Sequence, residues 1–294
     1  MQTKQDIVAI LSAAGLHPDR SLGQHFLIDG NLMRKLIESA EVTSDDVVLE
    51  VGGGTGGLSE LLAETAGHLV VVEIDHDLAP ILARRFADRA NVTVIHGDAL
   101  KRKHTVNPQV PAALTDARAR LAAATPTASP RCKLVANLPY HIATPLIMNL
   151  LIGQPALDRM CFTIQKEVAD RITADAGNRD FGPLAIAVQT ACAITRIAKI
   201  PAQAFWPAPR VASSMLRLDP QPHPFEGPDA LAKFIDLLHA AFAHRRKTLR
   251  YNLNRFTQPA VAEALTRGLD DKVRAEQLTL ETWIALGRAY LAQS

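Results

Sequence analysis

The run Glu50-Val51-Gly52-Gly53-Gly54-Thr55-Gly56-Gly57 stands where an apolar stretch gives way to a helical one. Glycine at such a turn permits positive φ and lets a ligand come up against bare backbone. The start of the helix behind it favours negative charge. Two acids follow at matching places: Glu73 closes the next apolar stretch, and Asp98 follows the one after, in His96-Gly97-Asp98-Ala99. Carboxylates there can accept hydrogen bonds from a sugar diol and from an amine. A fourth stretch closes on Asn137-Leu138-Pro139-Tyr140, which combines an amide, a backbone carbonyl stiffened by proline and an aromatic ring.

These residues are useful only if strands bring them together. Val47–Val51, His68–Ile74, Val92–His96, Lys133–Ala136 and Met160–Ile164 are short apolar runs without period-2 alternation, and helical stretches, such as those from about Leu58 and over Asp77–Ala87, lie among them. That pattern predicts a parallel sheet covered on both faces, a doubly wound α/β domain. A last strand is expected at Ser214–Leu218. Pro220, Pro222, Pro224 and Pro228 mark a linker, and from Ala230 onward the pattern is helical. Two domains are therefore expected, 1–219 and 220–294, the second small and all-α. Residues 101–131, rich in Ala, Thr, Pro and charge, read as a surface insertion with one short helix near Thr115–Ala123.

Composition narrows the function. The 294 residues suffice for one large core and a small accessory domain, and a net charge of +2 means that any phosphate-binding face is local. Cys132, Cys161 and Cys192 lie in apolar runs without metal-ligand spacing, so neither a disulfide framework nor a metal site is expected. No signal peptide and no run of ~20 apolar residues is present, so a soluble, cytoplasmic chain is expected.

The glycine run by itself is ambiguous. Gly52, Gly54 and Gly57 satisfy the dinucleotide fingerprint, while Glu50, Gly52, Gly54 and Gly56 satisfy the Glu-x-Gly-x-Gly-x-Gly pattern of methyltransferases. Asn137 to Tyr140 separates the two. With Gly23-Gln24-His25-Phe26-Leu27, Glu73, Gly97-Asp98, the continuation His141-Ile142-Ala143-Thr144-Pro145, Gln165-Lys166-Glu167-Val168-Ala169 and Arg245-Arg246-Lys247-Thr248-Leu249-Arg250, the chain resembles the ribosomal RNA adenine dimethyltransferases along nearly its whole length.

The resemblance implies a Rossmann-like class I methyltransferase sheet and S-adenosylmethionine as cofactor, with S-adenosylhomocysteine as product. It implies cofactor contacts at His25, Leu27, Gly52, Gly54, Glu73, Asp98 and Asn137, with catalysis at Asn137, Leu138, Pro139 and Tyr140. The chemistry agrees: an adenine amine is a poor nucleophile because its lone pair is delocalised. Two acceptors, the Asn137 amide oxygen and the Leu138 carbonyl, favour a pyramidal nitrogen, and Tyr140 offers a ring to stack on the base. The implied substrate is two adjacent adenines in the 3′-terminal hairpin loop of small-subunit ribosomal RNA, met in a precursor particle by a monomeric enzyme. Such a base must be unpaired or flipped out.

By family analogy Phe181 and Phe205 wall in or stack on that base, with core aromatics as the plain alternative. Arg245, Arg246, Lys247 and Arg250 are expected to meet phosphates. The sequence departs from the family in the long 101–131 segment, in Pro207-Ala208-Pro209-Arg210-Val211-Ala212-Ser213 and at Pro183. Three other readings are a large-subunit enzyme of the antibiotic-resistance type, a non-catalytic RNA-binding factor on the same fold, and an NAD-dependent oxidoreductase.

Overall fold

The computed structural model describes residues 2–19, 21–102, 105–124, 129–153, 156–226 and 229–293. Of the expected linker, Pro228 lies outside these residues, as do 103–104 and 125–128 of the expected insertion. The main sheet is built from β1 (Val47–Val51), β2 (His68–Glu73), β3 (Val92–His96), β4 (Cys132–Asn137), β5 (Arg159–Gln165), β6 (Cys192–Ile200) and β7 (Ser213–Pro220). The helices are α1 (Lys4–Ala13), α2 (Gly30–Ala40), α3 (Gly57–Thr65), α4 (Leu78–Arg85), α5 (Gln109–Ala124), α6 (Ala143–Ile152), α7 (Lys166–Ile172), α8 (Pro183–Ala191), α9 (Ala230–Ala241), α10 (Leu249–Leu253), α11 (Pro259–Thr266) and α12 (Leu280–Leu291).

The seven strands run in the order β3-β2-β1-β4-β5-β7-β6. The first five are parallel, and β7 returns antiparallel against β5. Every residue of β1 and β2 is buried, as expected of a sheet covered on both faces. Leu36, Ile37 and Ala40 of α2 and Leu58 and Leu62 of α3 join Val48, Leu69, Val71, Val135 and Cys161 in one core cluster. Strand alternation sends Leu49 and Val70, equally buried, to the opposite face.

The segment expected to be a surface insertion is largely helix. Helix α5 has 16 residues, packs on β1, β2 and β3, and buries Val110, Leu114 and Ala117. Alanine-rich composition hid this, because alanines blur the apolar stripe that marks a helix face. The nine-residue strand β6 also went unforeseen. Thr195, Arg196 and Lys199 interrupt its apolar residues, and as a strand at the end of the sheet it tolerates them.

The chain divides into two compact units, Met1–Lys166 with Ile194–Asp219 and Glu167–Ala193 with Pro220–Ser294. This differs from a single cut at 219/220, because 167–193 groups with the C-terminal helices. Within that second unit α8 packs on α9 and α12. The Gln221 N–H donates to the Ala191 carbonyl at 2.8 Å and the Gly177 N–H to Glu276 at 3.0 Å. A truncation after Asp219 would therefore strip α8 of α9 and α12.

Leu114, 2% exposed, tests the place of α5 in the core. Leu114→Ala is expected to cost about 2–5 kcal/mol in urea unfolding. Asp116→Ala, on the exposed side of the helix, is expected to stay within about 0.5 kcal/mol of wild type.

Candidate active site

The parallel order sets the carboxyl ends of β3, β2, β1 and β4 side by side, which is where open α/β sheets bind ligands. One cleft there is lined by His25, Gly52, Gly54, Glu73, Asp98 and Asn137, with Leu138, Pro139 and Tyr140 completing its wall. Sequence reasoning placed all of these in the site. Leu27 does not line this cleft: its side chain is 6% exposed within the core cluster, because Phe26–Leu27 pairs antiparallel with Phe205–Trp206, and it borders a neighbouring cavity with Gly52, Gly54 and Asn137.

The glycine loop is shaped by close approach. Gly52 and Gly54 have φ of +84° and +56°. A Cβ on Gly52 would come within 3.1 Å of the Pro139 ring, and one on Gly54 within 2.9 Å of the Phe26 ring. The first segment of the chain, missed by the sequence reading, braces the loop from behind. The Gln2 side chain donates to the Thr55 carbonyl at 2.8 Å and accepts from the Thr55 hydroxyl at 2.6 Å.

Two carboxylates are buried beside the loop. Glu73, 4% exposed, accepts the Gly54 N–H at 2.7 Å on Oε2 and the Asp75 N–H at 2.9 Å on Oε1. Burial raises its pKa against those hydrogen bonds, and each oxygen keeps a lone pair for a ligand hydroxyl. Glu50, 1% exposed, has no partner for Oε2, and burial pushes its pKa up to about 8. Asp98 is exposed and accepts the Leu100 N–H at 2.8 Å on Oδ1. A diol acceptor, a second carboxylate at the next strand end and close-packed glycine backbone together fit a nucleoside with free ribose hydroxyls.

At the other end of the cleft Asn137 is held on both sides. Its Nδ2 donates to the His25 carbonyl at 2.8 Å, and its Oδ1 accepts the Thr163 hydroxyl. His25 in turn donates through Nδ1 to the Pro207 carbonyl at 2.7 Å. The Leu138 side chain is buried, while its carbonyl accepts no hydrogen bond among the described residues. The ring of Tyr140 lies 5.5 Å from that of His25, and its hydroxyl is 2.7 Å from Ser213 Oγ. The site thus presents two acceptors, Asn137 Oδ1 with a lone pair to spare and the Leu138 carbonyl, beside a half-buried ring. Thr163 and Ser213 were not singled out from the sequence. A threonine inside Met160-Cys161-Phe162-Thr163-Ile164 was the available signal.

Phe181 and Phe205 are 1% and 2% exposed. Neither presents a free ring face, so stacking on a base is not where this structure places them, and the reading as core aromatics accounts for both. The basic run is an exposed turn between α9 and α10 in the second unit. Arg245 is committed there to the carbonyls of Arg179 and Phe181, at 2.6 and 3.2 Å. Arg250 donates to Thr266 Oγ1 at 3.2 Å and faces Asp271 at 3.4 Å. Arg246 and Lys247 project, with Lys247 over the Tyr251 ring at 5.4 Å.

Residues 16–290 match the family model described as ribosomal RNA adenine dimethylase. The chain is 39% identical, over 95% of its length and 92% of the relative's, to ribosomal RNA small subunit methyltransferase A of Lactiplantibacillus plantarum. It is 38% identical to the protein of the same name from Phenylobacterium zucineum, over 100% of this chain and 95% of that one. Among solved structures, a dimethyladenosine transferase from Plasmodium falciparum superposes with a TM-score of 0.66 at 25% identity, covering 89% of this chain and 96% of that one. The 23S ribosomal RNA methyltransferase ErmE shares the fold, with a TM-score of 0.59 at 23% identity over 90% and 99% of the two chains.

Glu50 gives the site a signature in pH. Its folded-state pKa, about 8 against an ordinary 4.5, means that the folded chain holds a proton the unfolded chain releases. That stability is complete below about pH 4.5 and drains away as pH rises toward 8. Urea midpoints should fall over this window for wild type, and Glu50→Gln should flatten the fall. A variant curve parallel to wild type would show that Glu50 ionises normally.

Proposed function

The chain belongs to the ribosomal RNA adenine dimethylase family, and from that premise we propose that it dimethylates N6 of two adjacent adenines in the 3′-terminal hairpin loop of small-subunit ribosomal RNA. It is an S-adenosylmethionine-dependent adenine methyltransferase acting on small-subunit RNA, and its fold is the class I methyltransferase sheet. The observation that carries the reading is the pair of acceptors at the end of β4, Asn137 Oδ1 and the Leu138 carbonyl, across one cleft from Glu73 and Asp98.

When bound, S-adenosylmethionine supplies an activated methyl group on a sulfonium leaving group. In our reading Glu73 holds the ribose hydroxyls, Asp98 accepts from the cofactor's adenine amine, and Gly52 and Gly54 let the nucleoside lie against backbone. His25 contributes by fixing Asn137 through its carbonyl. Asn137 Oδ1 and the Leu138 carbonyl accept the protons of the target amine, so that its lone pair is freed from the ring and directed at the methyl. Pro139 stiffens the Leu138 carbonyl, and Tyr140 stacks on the base. The aminium product is acidic, so no side chain need ionise before attack. Catalysis is mainly positioning and preorganised electrostatics.

The domain assignment we favour is a catalytic unit and a helical unit that positions RNA, with the phosphate contacts made by Arg246 and Lys247. A monomer meeting a precursor of the small subunit in the cytoplasm is consistent with this. Among the described residues no helix is long and apolar enough to cross a membrane.

Asn137→Ala is expected to abolish methyl transfer to undermethylated small subunits while calorimetry still detects weakened cofactor binding. Turnover at the wild-type rate would remove Asn137 from the mechanism. In the second unit, Arg246→Glu and Lys247→Glu should each lower the salt slope of subunit binding by about 1. An unchanged slope would move the RNA-binding face elsewhere.

A further inference from the structure

Two hydroxyls behind the cleft have no place in the steps above. Thr163 is 0% exposed in β5, between Phe162 and Ile164, which are equally buried. Ser213, at the start of β7, is 1% exposed. Ser213 lies opposite Gln165 across the antiparallel pair. Directly opposed residues point to the same face, as do residues two apart on one strand. Thr163 and Ser213 therefore share a face of the sheet.

A buried hydroxyl costs free energy unless it is hydrogen-bonded. Each of these has its side-chain bond with a residue of the cleft: Thr163 donates to Asn137 Oδ1, and Ser213 Oγ meets the Tyr140 hydroxyl at 2.7 Å. Packing does not account for the Thr163 hydroxyl, since valine has the same shape without a polar group to satisfy.

The two ends of a carboxamide are nearly alike in size and opposite in hydrogen bonding. The His25 carbonyl only accepts and so selects the flip that turns Nδ2 toward it, while the Thr163 hydroxyl on the other side holds Oδ1 in place. The hydroxyl occupies one lone pair of Oδ1 and leaves the second for an incoming donor. Tyr140 has the same arrangement at its tip, where Ser213 anchors the hydroxyl and so fixes the direction of the ring.

We propose that Thr163 and Ser213 are positioning residues for methyl transfer, Thr163 setting the orientation of the Asn137 carboxamide and Ser213 that of the Tyr140 ring. This rests on the reading that Asn137 and Tyr140 handle the target base.

The test is steady-state methyl transfer to undermethylated small subunits by the full chain, with cofactor affinity and thermal midpoint measured alongside. Thr163→Val should lower kcat about 10- to 100-fold, leaving KM for subunits and thermal midpoint unchanged and cofactor affinity no weaker than in Asn137→Ala, and Thr163→Ser should recover most of the loss. Ser213→Ala and Tyr140→Phe should each lower kcat, and the double variant should be no worse than the worse single. Wild-type kcat in Thr163→Val, a Thr163→Ser variant as slow as Thr163→Val, or additive effects of Ser213→Ala and Tyr140→Phe would overturn the proposal. If those results came with an inactive Asn137→Ala variant, the proposal alone would fall. Full turnover by Asn137→Ala would instead bring down the reading beneath it.

Discussion

A carboxamide held at both ends is the restraint on which this site depends. Asn137 Nδ2 is bonded to the backbone of His25 and Oδ1 to the side chain of Thr163, residues far apart in the chain and brought together by the fold. The β4–β5 pairing sets Asn137 directly opposite Thr163. The Phe26–Leu27 ribbon, laddered onto Phe205–Trp206, sets the His25 carbonyl. An amide fixed this way presents a chosen lone pair rather than a mixture of flips. That matters for a reaction in which the protein's contribution is geometry more than proton transfer.

The sheet order does the rest. Parallel strands bring successive strand ends to one edge, so Gly52, Glu73, Asp98 and Asn137 meet although they span 52–137 in sequence. The acids among them are not equivalent. Glu73 is buried but accepts two backbone N–H bonds. Glu50, deeper and with Oε2 unpartnered, keeps its proton to about pH 8. Asp98 stays exposed. The two buried glutamates beside the loop thus differ in environment through burial and backbone donors, although they are the same residue type.

Much of this was legible in the sequence because it lies at strand ends, where apolar runs meet glycine, acid or amide. The β1–β5 strands, the glycine loop and the Asn137–Tyr140 segment all announce themselves that way. Packing partners do not. Leu27 packs its side chain into the core through a two-residue ladder while bordering a cavity with Gly52, Gly54 and Asn137. Phe205 is core through the same ladder and Phe181 is equally buried, while Arg245 is tied to carbonyls that no charge pattern could reveal. Helix α5 hid behind alanines, and the unit boundary was missed because α8 joins α9 and α12 through contacts remote in sequence. Thr163 and Ser213 show the remaining difficulty: a buried hydroxyl looks incidental until its partner is seen.

The most direct test of the account is methyl transfer from labelled S-adenosylmethionine to undermethylated small and large ribosomal subunits side by side, with the modified nucleoside identified. The account predicts N6,N6-dimethyladenosine in small-subunit RNA and no label in large-subunit RNA. Label in large-subunit RNA, or none in either from a chain that binds the cofactor, would contradict it.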